Sequence, residues 1–569
     1  MSQSSLSFAL PSPVRYGPRL GTITLRRGAD TASSIIIATP GLLASTSRGA
    51  VPHLSRDHVR ITDALRWVNV PFETFLEQTP PIPILHAQHP SNASNPHPLH
   101  TFLGFDESRH LLSISAREPT DTREMPPNGN ALVCVHSLRG VRKLAPAEWA
   151  AYARIAQPDV VLALSDTPCT DAPYSQKRLT KSVERSAAWL ATLLRPGPIP
   201  MPLPIPKKLK AQPVAAAAPA QPAVALPPTP PVFVHLAGLT SLPARKAFAA
   251  SLLEPLYGPH ITALAPLKTL DEGVAGYTID LAPLKAALSA LPDTPSPSAA
   301  AVSPSEDPEA HIAALLRASL TALPPSKPRL VTGTTSPHEV LRLIATVGAD
   351  VFDARWAQRA ADVGVALDFA FPVRGERTPR EIGHNLYDVR YRLDFGCFSD
   401  ALPAPHTTAT APEAGTPTCP CAACAPRPPP ARLYHGHDAP SVSGEPEKDP
   451  ARVLPAYTRA YVHHLLHTHE MSAHALLAAH NLAVLDAFFA GVRGVLSASA
   501  AGVEGGPVED AGLFAKEVRA FEEAYDPRMG VLVEAEAAWR AVDTARGKGR
   551  LSRETGAGEG EGVAPADAA

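Results

Sequence analysis

Three cysteines lie within one short segment, Cys419-Pro-Cys421-Ala-Ala-Cys424. The proline and the two small alanines permit a tight turn, so the three thiolates can converge on one ion. Structural zinc sites take four nitrogen or sulfur ligands in a tetrahedron, and a fourth ligand must therefore come from elsewhere in the chain. Spacing alone does not select among the six histidines that follow, which are His463, His464, His467, His469, His474 and His480.

Two other interpretations of this cysteine cluster remain open at this point. One is a surface loop of free thiols, although clustered cysteines in a chain with only six of them favour a metal and a reducing compartment. The other is an iron–sulfur cluster, which usually needs a fourth cysteine nearby. Cys397 could serve, but it follows a strand-like stretch.

Three aspartates form a second group of candidate functional residues, because each stands at the end of a predicted strand: Asp166, Asp280 and Asp353. In a parallel barrel the chemistry takes place at the carboxyl ends of the strands. The alternative is that each acid only caps the helix that follows its strand.

Short β-branched runs alternate with amphipathic segments through most of the chain, which predicts βα units and a parallel sheet. The predicted strands are 131–136, 159–164, 232–237, 275–280, 329–333, 349–353 and 364–371, and the predicted helices are 145–156, 177–195, 243–255, 309–321 and 337–347. Six or more such units favour an α/β fold of the (β/α)₈ TIM-like barrel type over an open doubly wound sheet. No GxGxxG motif follows a strand, so we predict no dinucleotide site.

Proline is the outlier in the composition, with 64 residues in a chain of 569. The prolines cluster in segments that cannot pack a core, so they indicate insertions and linkers. We predict a barrel over residues 1–401 with Pro/Ala-rich insertions near 200–231 and 291–308. A zinc-binding helical subdomain follows over 402–545, with a Pro-rich loop at 425–455, and a disordered tail over 546–569 ends the chain.

Charge and hydropathy exclude several classes of protein. The net charge of −2 shows no basic excess, so any contact with nucleic acid must be local or shared with a partner. The N-terminus lacks the basic and apolar regions of a signal peptide. No apolar run reaches the roughly 18–20 residues that span a bilayer, so we expect a soluble cytoplasmic protein without a transmembrane segment.

The cysteine segment and the residues after it resemble the tRNA-guanine transglycosylase family. The zinc motif of that family is CxCxxC, followed by YSRAYLHHL and then by a helix that carries HNL. This chain has YTRAYVHHL at 457–465 and His480-Asn-Leu. The resemblance implies that His480 is the fourth ligand and that each subunit holds one Zn²⁺. One departure is the long segment 425–455 between the cysteines and the tyrosine motif.

Other segments carry the same resemblance: GPRLGTITL (17–25), GAVPHLSRD (49–57), KSVERSAAWL (181–190) and KPRLVTGTTSPHEVLRLIATVGADVFD (327–353). In catalytic members of the family an aspartate attacks the ribose of the tRNA wobble nucleotide and forms a covalent intermediate, which is nucleophilic catalysis by a carboxylate. Asp353 matches that nucleophile.

The surroundings of Asp353 depart from the family pattern. The Pro-Thr-Arg that follows the nucleophile is replaced by residues 357–359 (Ala-Gln-Arg), and a second arginine by Asp362. Ser165 stands where an aspartate reads the purine, and Tyr277 stands where a glycine pair allows the base to approach the backbone. No segment matches SGGFQ, which carries the proton-handling aspartate. We predict that such a pocket does not turn over.

These departures imply the non-catalytic subunit of a heterodimer, and segments 100–115 and 129–144 resemble that branch of the family. Its partner would be a catalytic queuine tRNA-ribosyltransferase subunit, and tRNA would be the shared substrate. The complex would exchange guanine for queuine at the wobble position of tRNAs with GUN anticodons (Asp, Asn, His and Tyr). One alternative is a self-sufficient transglycosylase that uses Asp353, and another is a zinc-stabilised barrel with an unrelated binding role.

The resemblance also implies where the partner docks and where the complex is found. Family members dimerise through the zinc-bearing region, so we expect the partner on residues 455–500. The apolar side chains available there are Tyr457, Tyr461, Val462, Leu465, Leu466, Phe488 and Phe489. The alternative is that these residues only pack the helices on the barrel. The expected location is cytoplasmic, or peripheral on the mitochondrial outer membrane.

Overall fold

The computed structural model describes residues 5–27, 34–92, 94–168, 170, 172–197, 227–290, 308–374, 379–405, 418–426, 454–501 and 511–545. The strands are β1 Ser5–Ala9, β2 Gly21–Arg26, β3 Ser34–Thr39, β4 Gly41–Ser45, β5 Trp67–Pro71, β6 Leu111–Ser115, β7 Val133–Ser137, β8 Gly140–Leu144, β9 Val160–Leu162, β10 Val232–His235, β11 Gly276–Asp280, β12 Arg329–Thr332, β13 Val351–Asp353, β14 Val365–Leu367 and β15 Gly383–Asn385. The helices are α1 Arg56–Ile61, α2 Ile82–Gln88, α3 Pro98–Leu103, α4 Pro146–Ala156, α5 Gln176–Leu194, α6 Leu242–Leu253, α7 Pro259–Ala263, α8 Leu281–Ser289, α9 Pro308–Leu320, α10 Pro337–Thr346, α11 Arg355–Asp362, α12 Arg459–His467, α13 Met471–Ala501, α14 Ala511–Ala524 and α15 Gly530–Ala545.

Eight parallel strands close into a barrel in the order β4, β5, β6, β9, β10, β11, β12 and β13, and β13 pairs with β4. These strands are short and rich in Val, Leu and Ile. Helices cover the outside of the barrel, so both faces of its strands are buried. The predicted TIM-like α/β barrel is confirmed.

Two of the predicted strands lie outside the barrel. Segment 131–136 forms β7, which pairs antiparallel with β8 as a hairpin, and segment 364–371 contributes β14, which pairs antiparallel with β15. The hairpin follows from the short connection between β7 and β8, at which Gly140 adopts a φ of 97°. The barrel instead takes three strands, β4 to β6, from the first 115 residues.

The antiparallel sheet β1-β2-β3 closes the amino end of the barrel. Its isoleucines, such as Ile23 and Ile37, pack in one cluster with Trp67, Leu111 and Val351, which are the first residues of barrel strands. Because this end is filled with apolar side chains, the carboxyl end of the barrel is left for a site.

The long helix α13 packs against α11 and strand β4 of the barrel. Its part Met471–Ser499 is long and apolar enough to cross a membrane by length and composition, with a mean hydropathy of 1.6 in its most apolar window. Inside the protein 78% of that window is buried, which is the property of a core helix. The rings of Phe352 and Phe489, for example, stack with centroids 5.8 Å apart between the barrel and this helix.

Most of the predicted Pro-rich segments lie outside the described residues. These are the greater part of 200–231, 291–308 and 425–455, and the whole tail from 546. The segments on either side of them belong to the barrel and to the helices that follow it, so the elements that position the candidate sites are all described.

Candidate metal centre and barrel mouth

The three cysteines and one histidine meet in a buried cluster. The Nδ1 atom of His480 lies 3.6 Å from the sulfur of Cys419, 3.7 Å from that of Cys421 and 3.5 Å from that of Cys424. The ligand atoms of all four residues lie within 4.8 Å of one another, and all four side chains are buried. This Cys₃His cluster, as it is called below, could therefore hold one metal ion.

The distances agree with a tetrahedral centre. With ordinary Zn–S and Zn–N bonds, the sulfur-to-nitrogen edge of such a tetrahedron measures about 3.6 Å. Hydrogen bonds from the thiols of Cys421 and Cys424 lower the pKa of the Cys419 thiol below its usual value. A thiolate is the form that binds metal, so the donor set suits a soft or borderline cation.

Backbone hydrogen bonds fix the loop that carries the cysteines. The amide of Cys419 donates to the carbonyl of Pro403 at 3.0 Å, and the amide of Tyr457 donates to the carbonyl of Ala423 at 2.9 Å. Within the loop, the amide of Cys424 donates to the sulfur of Cys421 at 3.3 Å. The loop is thus held to the chain segments before and after it.

Helix α13 supplies the histidine and fixes its orientation. The Nε2–H group of His480 donates to the carbonyl of Leu367 at 2.9 Å, which turns Nδ1 toward the three sulfurs. The next residue, Asn481, accepts from the amide of Leu367 at 2.9 Å and donates to the carbonyls of Val365 and Ala357. Sequence reasoning quoted Asn481 only as the asparagine of the HNL motif and assigned it no role.

The other histidines of this region face elsewhere. His463, His467 and His474 bond the backbone carbonyls of Leu386, Tyr387 and Ala361 respectively, and His464 and His469 are exposed. Cys397 is not part of the cluster. The structure thus selects one histidine where spacing could not.

The three strand-end aspartates lie in three different environments. Asp280 occupies the N-cap position of α8 but makes no capping hydrogen bond with its side chain, and the N-caps of α5 and α11 are Ser175 and Ala354. Asp166 is fully buried and is held by Arg178, Arg185 and Asn128 at 2.7 to 3.1 Å. Burial alone would raise its pKa, but the hydrogen bonds from Arg178 and Asn128 hold the pKa of this carboxyl below its usual value. Asp166 therefore anchors helix α5 and the loop before β7.

Asp353 ends β13 with only 2% of its surface exposed. Its Oδ1 atom accepts hydrogen bonds from the amide of Gly333 at 3.0 Å and from the amide and hydroxyl of Thr334 at 3.3 and 3.2 Å. Burial raises its pKa to about 6, against the lowering effect of these bonds. The carboxylate is thus shut in by the end of β12 and does not line the pocket at the barrel mouth.

Asp280 lies at the edge of that pocket, which has a cavity volume of about 70 Å³ at the ends of β6, β9, β10 and β11. Its Oδ1 accepts from the hydroxyl of Thr332 at 2.7 Å, and its Oδ2 lies 3.0 Å from Nε2 of His235. Ser165 also lines the pocket. Sequence reasoning did not single out His235.

Tyr277 corrects one sequence expectation. Its side chain is fully buried, and its hydroxyl donates to Asp271 at 2.7 Å, among residues that pack outside the barrel. Strand residues alternate between the two faces, so Gly276 and Thr278 face the interior and Tyr277 does not. The tyrosine therefore does not obstruct the pocket, and a side chain at Gly276 would instead meet the ring of Phe233.

The positions that replace the family's arginine motif are occupied by internal contacts. The amide of Gln358 bonds both backbone groups of Ser45 on β4. Arg359 pairs with Glu536 at 3.3 Å, and Asp362 pairs with His53 at 2.6 Å. The charged side chains at these positions are therefore already paired within the chain. Of the two arginines that the family pattern has here, only the first is kept, as Arg359.

The apolar residues proposed for a partner surface are mostly core. Five of the seven are buried against their own chain: Val462, Leu465, Leu466, Phe488 and Phe489. The expectation that they form a free surface is wrong, because α13 uses its aromatic side chains to pack on the barrel. Tyr461 is 44% exposed and stacks on the half-buried Tyr457, with ring centroids 5.4 Å apart.

Comparison with known proteins decides the family. The family model described as queuine tRNA-ribosyltransferase matches residues 15–197, 288–445 and 447–500, which together make up more than half of the chain. The chain belongs to the queuine tRNA-ribosyltransferase family. The matched residues of this family member include Asp353, the three cysteines and His480.

Individual relatives show which members of the family the chain resembles over most of its length. The queuine tRNA-ribosyltransferase accessory subunit 2 of Aedes aegypti is 23% identical over 86% of this chain and 88% of its own length. The protein of the same name from Schizosaccharomyces pombe is 24% identical over 92% of this chain and 84% of its own length. A queuine tRNA-ribosyltransferase from Nostoc is 27% identical over only 35% of this chain. Over most of its length, this family member is thus similar to proteins named as accessory subunits.

Proposed function

We propose that this chain is the non-catalytic subunit of a heterodimeric queuine tRNA-ribosyltransferase. In this proposal a catalytic subunit carries out the exchange of guanine for queuine in tRNA, and the present chain contributes a folded surface and no reacting group. The similarity to proteins named as accessory subunits, which extends over 86% to 92% of the chain, supports the pairing with a catalytic partner. The chemistry of the barrel mouth supports the lack of exchange activity.

The observation that carries the non-catalytic part is the state of Asp353. A nucleophile must reach the ribose, yet this carboxylate is only 2% exposed. Three donors from Gly333 and Thr334 occupy its Oδ1 atom, and its Oδ2 atom is buried without a hydrogen-bond partner among the described residues. A pKa of about 6 also makes the carboxylate harder to ionise than an ordinary aspartate. Ser165 at the pocket wall offers no charge to read a purine. Positioning and electrostatic help for exchange are therefore both missing.

For the Cys₃His cluster we propose one Zn²⁺ per chain. Cys419, Cys421, Cys424 and His480 would fill a tetrahedron and leave no open position for a water, which is the pattern of structural and not catalytic zinc. The ion would supply a fixed link between the cysteine loop and helix α13. Through the bond from His480 to Leu367, the same link would reach strand β14.

The catalytic subunit would dock on the outer face of α12 and the turn beside it. A backbone hydrogen bond holds the turn to the helix, because the amide of Ala460 donates to the carbonyl of Asp394 at 2.7 Å. Three large apolar side chains of this turn are more than 70% exposed, namely Val389, Leu393 and Phe395, and Tyr461 lies on the adjoining helix. Exposed apolar residues in such density mark protein interfaces. We call these four residues the α12 patch.

The test is reconstitution. The purified chain, a catalytic queuine tRNA-ribosyltransferase subunit and their mixture are each assayed for exchange of labelled guanine in tRNA that has a GUN anticodon. Exchange is expected from the mixture and not from the present chain alone. The alternative, a self-sufficient transglycosylase, requires exchange by the present chain alone that disappears in Asp353→Asn.

A further inference from the structure

A wide groove lies at the amino end of the barrel, on the side away from the barrel mouth. It runs beside the amino ends of β10 and β11 and has a cavity volume of about 750 Å³. Its lining is largely apolar, with six large aliphatic side chains: Leu6, Leu194, Val232, Leu264, Leu267 and Val274. Among the described residues, only Arg154 and Glu272 line it with a charged side chain. An apolar groove of this size is unfavourable in water, which indicates that something covers it.

An insertion in the chain starts and ends at this groove. The described chain stops at Gly197, just after α5, and resumes at Pro227, and Gly197 and Pro228 both line the groove. One buried guanidinium holds both ends, because Nε of Arg154 donates to the carbonyl of Pro227 at 2.6 Å and its Nη1 donates to the carbonyl of Gly197. Residues 198–226, which lie outside the described part of the chain, are therefore tethered at the edge of the groove.

The first part of this insertion has a sequence that suits an apolar groove. Residues 198–206 read PIPMPLPIP, so a proline alternates with a large apolar residue throughout. Proline fixes its own φ and disfavours the helical region for the residue before it, so such a sequence has few conformations to lose on binding. Lysines follow at 207, 208 and 210. The exposed Glu272 on the groove forms no salt bridge within the described part of the chain, so its charge is available to them.

We propose that the groove binds segment 198–206 of the same chain through the alternating apolar side chains of that segment. The tether favours this occupant over a free one, because a segment that starts at the edge of the groove is present there at an effective concentration on the order of millimolar. The lysines that follow complement Glu272 in charge. Binding involves no chemical step and no residue of the barrel mouth, so the proposal is independent of the assignment as an accessory subunit.

A chain without the insertion tests the occupant. Both ends contact Arg154, so a short Gly/Ser linker can replace residues 198–226 and leave the groove open. A labelled peptide of residues 198–210 is expected to bind this loop-deleted chain at a ratio of one in fluorescence anisotropy. It should bind the intact full chain at least tenfold more weakly, because the tethered segment competes. The matched control is a peptide of residues 211–223, which has the same length but consists mostly of alanine, proline and glutamine and should not bind.

Variants of the groove test its position. Leu267→Asp is expected to weaken peptide binding to the loop-deleted chain at least tenfold, and Glu272→Lys, an exposed change that spares the core, severalfold. Ile261→Asp is the control, since Ile261 is 56% exposed and does not line the groove. In the intact chain, Leu267→Asp should speed cleavage by trypsin after Lys208 and Lys210.

Three results would overturn the proposal. A folded loop-deleted chain that binds no peptide would show that the groove does not recognise this sequence. Equal binding by the intact and loop-deleted chains would show that the tethered segment does not occupy the groove. If the loop-deleted chain and the intact chain both dimerise, and Leu267→Asp makes both monomeric, the occupant is a second copy.

Discussion

The Nε2–H group of His480 donates to the carbonyl oxygen of Leu367 at 2.9 Å, and this bond directs Nδ1 of the ring at three sulfurs. The bond ties the Cys₃His cluster to strand β14, which follows α11 in the chain and lies outside the barrel. Metal binding at this cluster would therefore be linked, through one histidine ring, to the packing of the helical region on the barrel.

The first prediction concerns the metal. The purified chain is expected to contain one zinc ion, with sulfur at about 2.3 Å in X-ray absorption spectra. Cys421→Ser is expected to lose the metal and to lower the free energy of unfolding by at least about 3 kcal/mol, because binding free energy of structural zinc is folding free energy. Metal analysis and thermal unfolding measure the two effects.

Cys134→Ser is the matched control, because Cys134 is also buried and free but lies outside the cluster. It should keep its zinc. Full zinc content in His480→Ala would show that the fourth ligand is another residue.

A second prediction follows from the raised pKa of Asp353. The folded chain holds this proton up to a pH of about 6, whereas an unfolded aspartate releases it near 3.8. In between, the folded state binds more protons than the unfolded state, so stability falls as pH rises from about 4 to about 6 and stays lower above that. The shift corresponds to about 3 kcal/mol at neutral pH.

Asp353→Asn removes this cost and keeps an acceptor for Gly333 and Thr334. Its Tm is expected to exceed that of the wild type at pH 7.5 and by a smaller margin at pH 5. Glu107→Gln, an exposed change of the same charge, should show no such pH dependence. A lower Tm for Asp353→Asn at pH 7.5 would mean that the ionised carboxylate is stabilising after all.

Local patterns were enough to predict some parts of the molecule. The cysteine motif is contiguous in sequence, so its convergence needs only a tight turn, and the alternation of strands and helices specifies a parallel barrel. Strand pairing is not local, and so β7 and β14 were expected in the barrel although each pairs with the strand that follows it.

The direction of side chains was the second feature that the sequence did not predict. Gly276 and Tyr277 face opposite sides of β11, and a motif match without that alternation placed the tyrosine in the pocket. The clamp made by Asn481 depends on groups more than 110 residues away in the sequence. His235 and Asp280 likewise meet only because β10 and β11 are neighbours in the closed barrel.

A third prediction concerns activity. Asp353→Asn in this chain, combined with a wild-type catalytic subunit, is expected to leave most of the exchange activity intact, because the buried carboxylate takes no part in the reaction. Steady-state exchange of labelled guanine measures it. A loss on the order of a thousandfold, as is typical when a covalent nucleophile is removed, would assign catalysis to this chain.

The last prediction concerns the α12 patch. Exposed apolar residues at the centre of an interface lose water on binding, so a buried charge there costs several kcal/mol and should break the complex. Tyr461→Asp and Phe395→Asp are each expected to weaken binding of the catalytic subunit at least a hundredfold in a pull-down or calorimetric titration. Tyr257→Asp is the control, since Tyr257 is 74% exposed but lies beside α7 on the barrel. Variants that keep their zinc and their Tm, yet bind the partner like the wild type, would place the interface on another face.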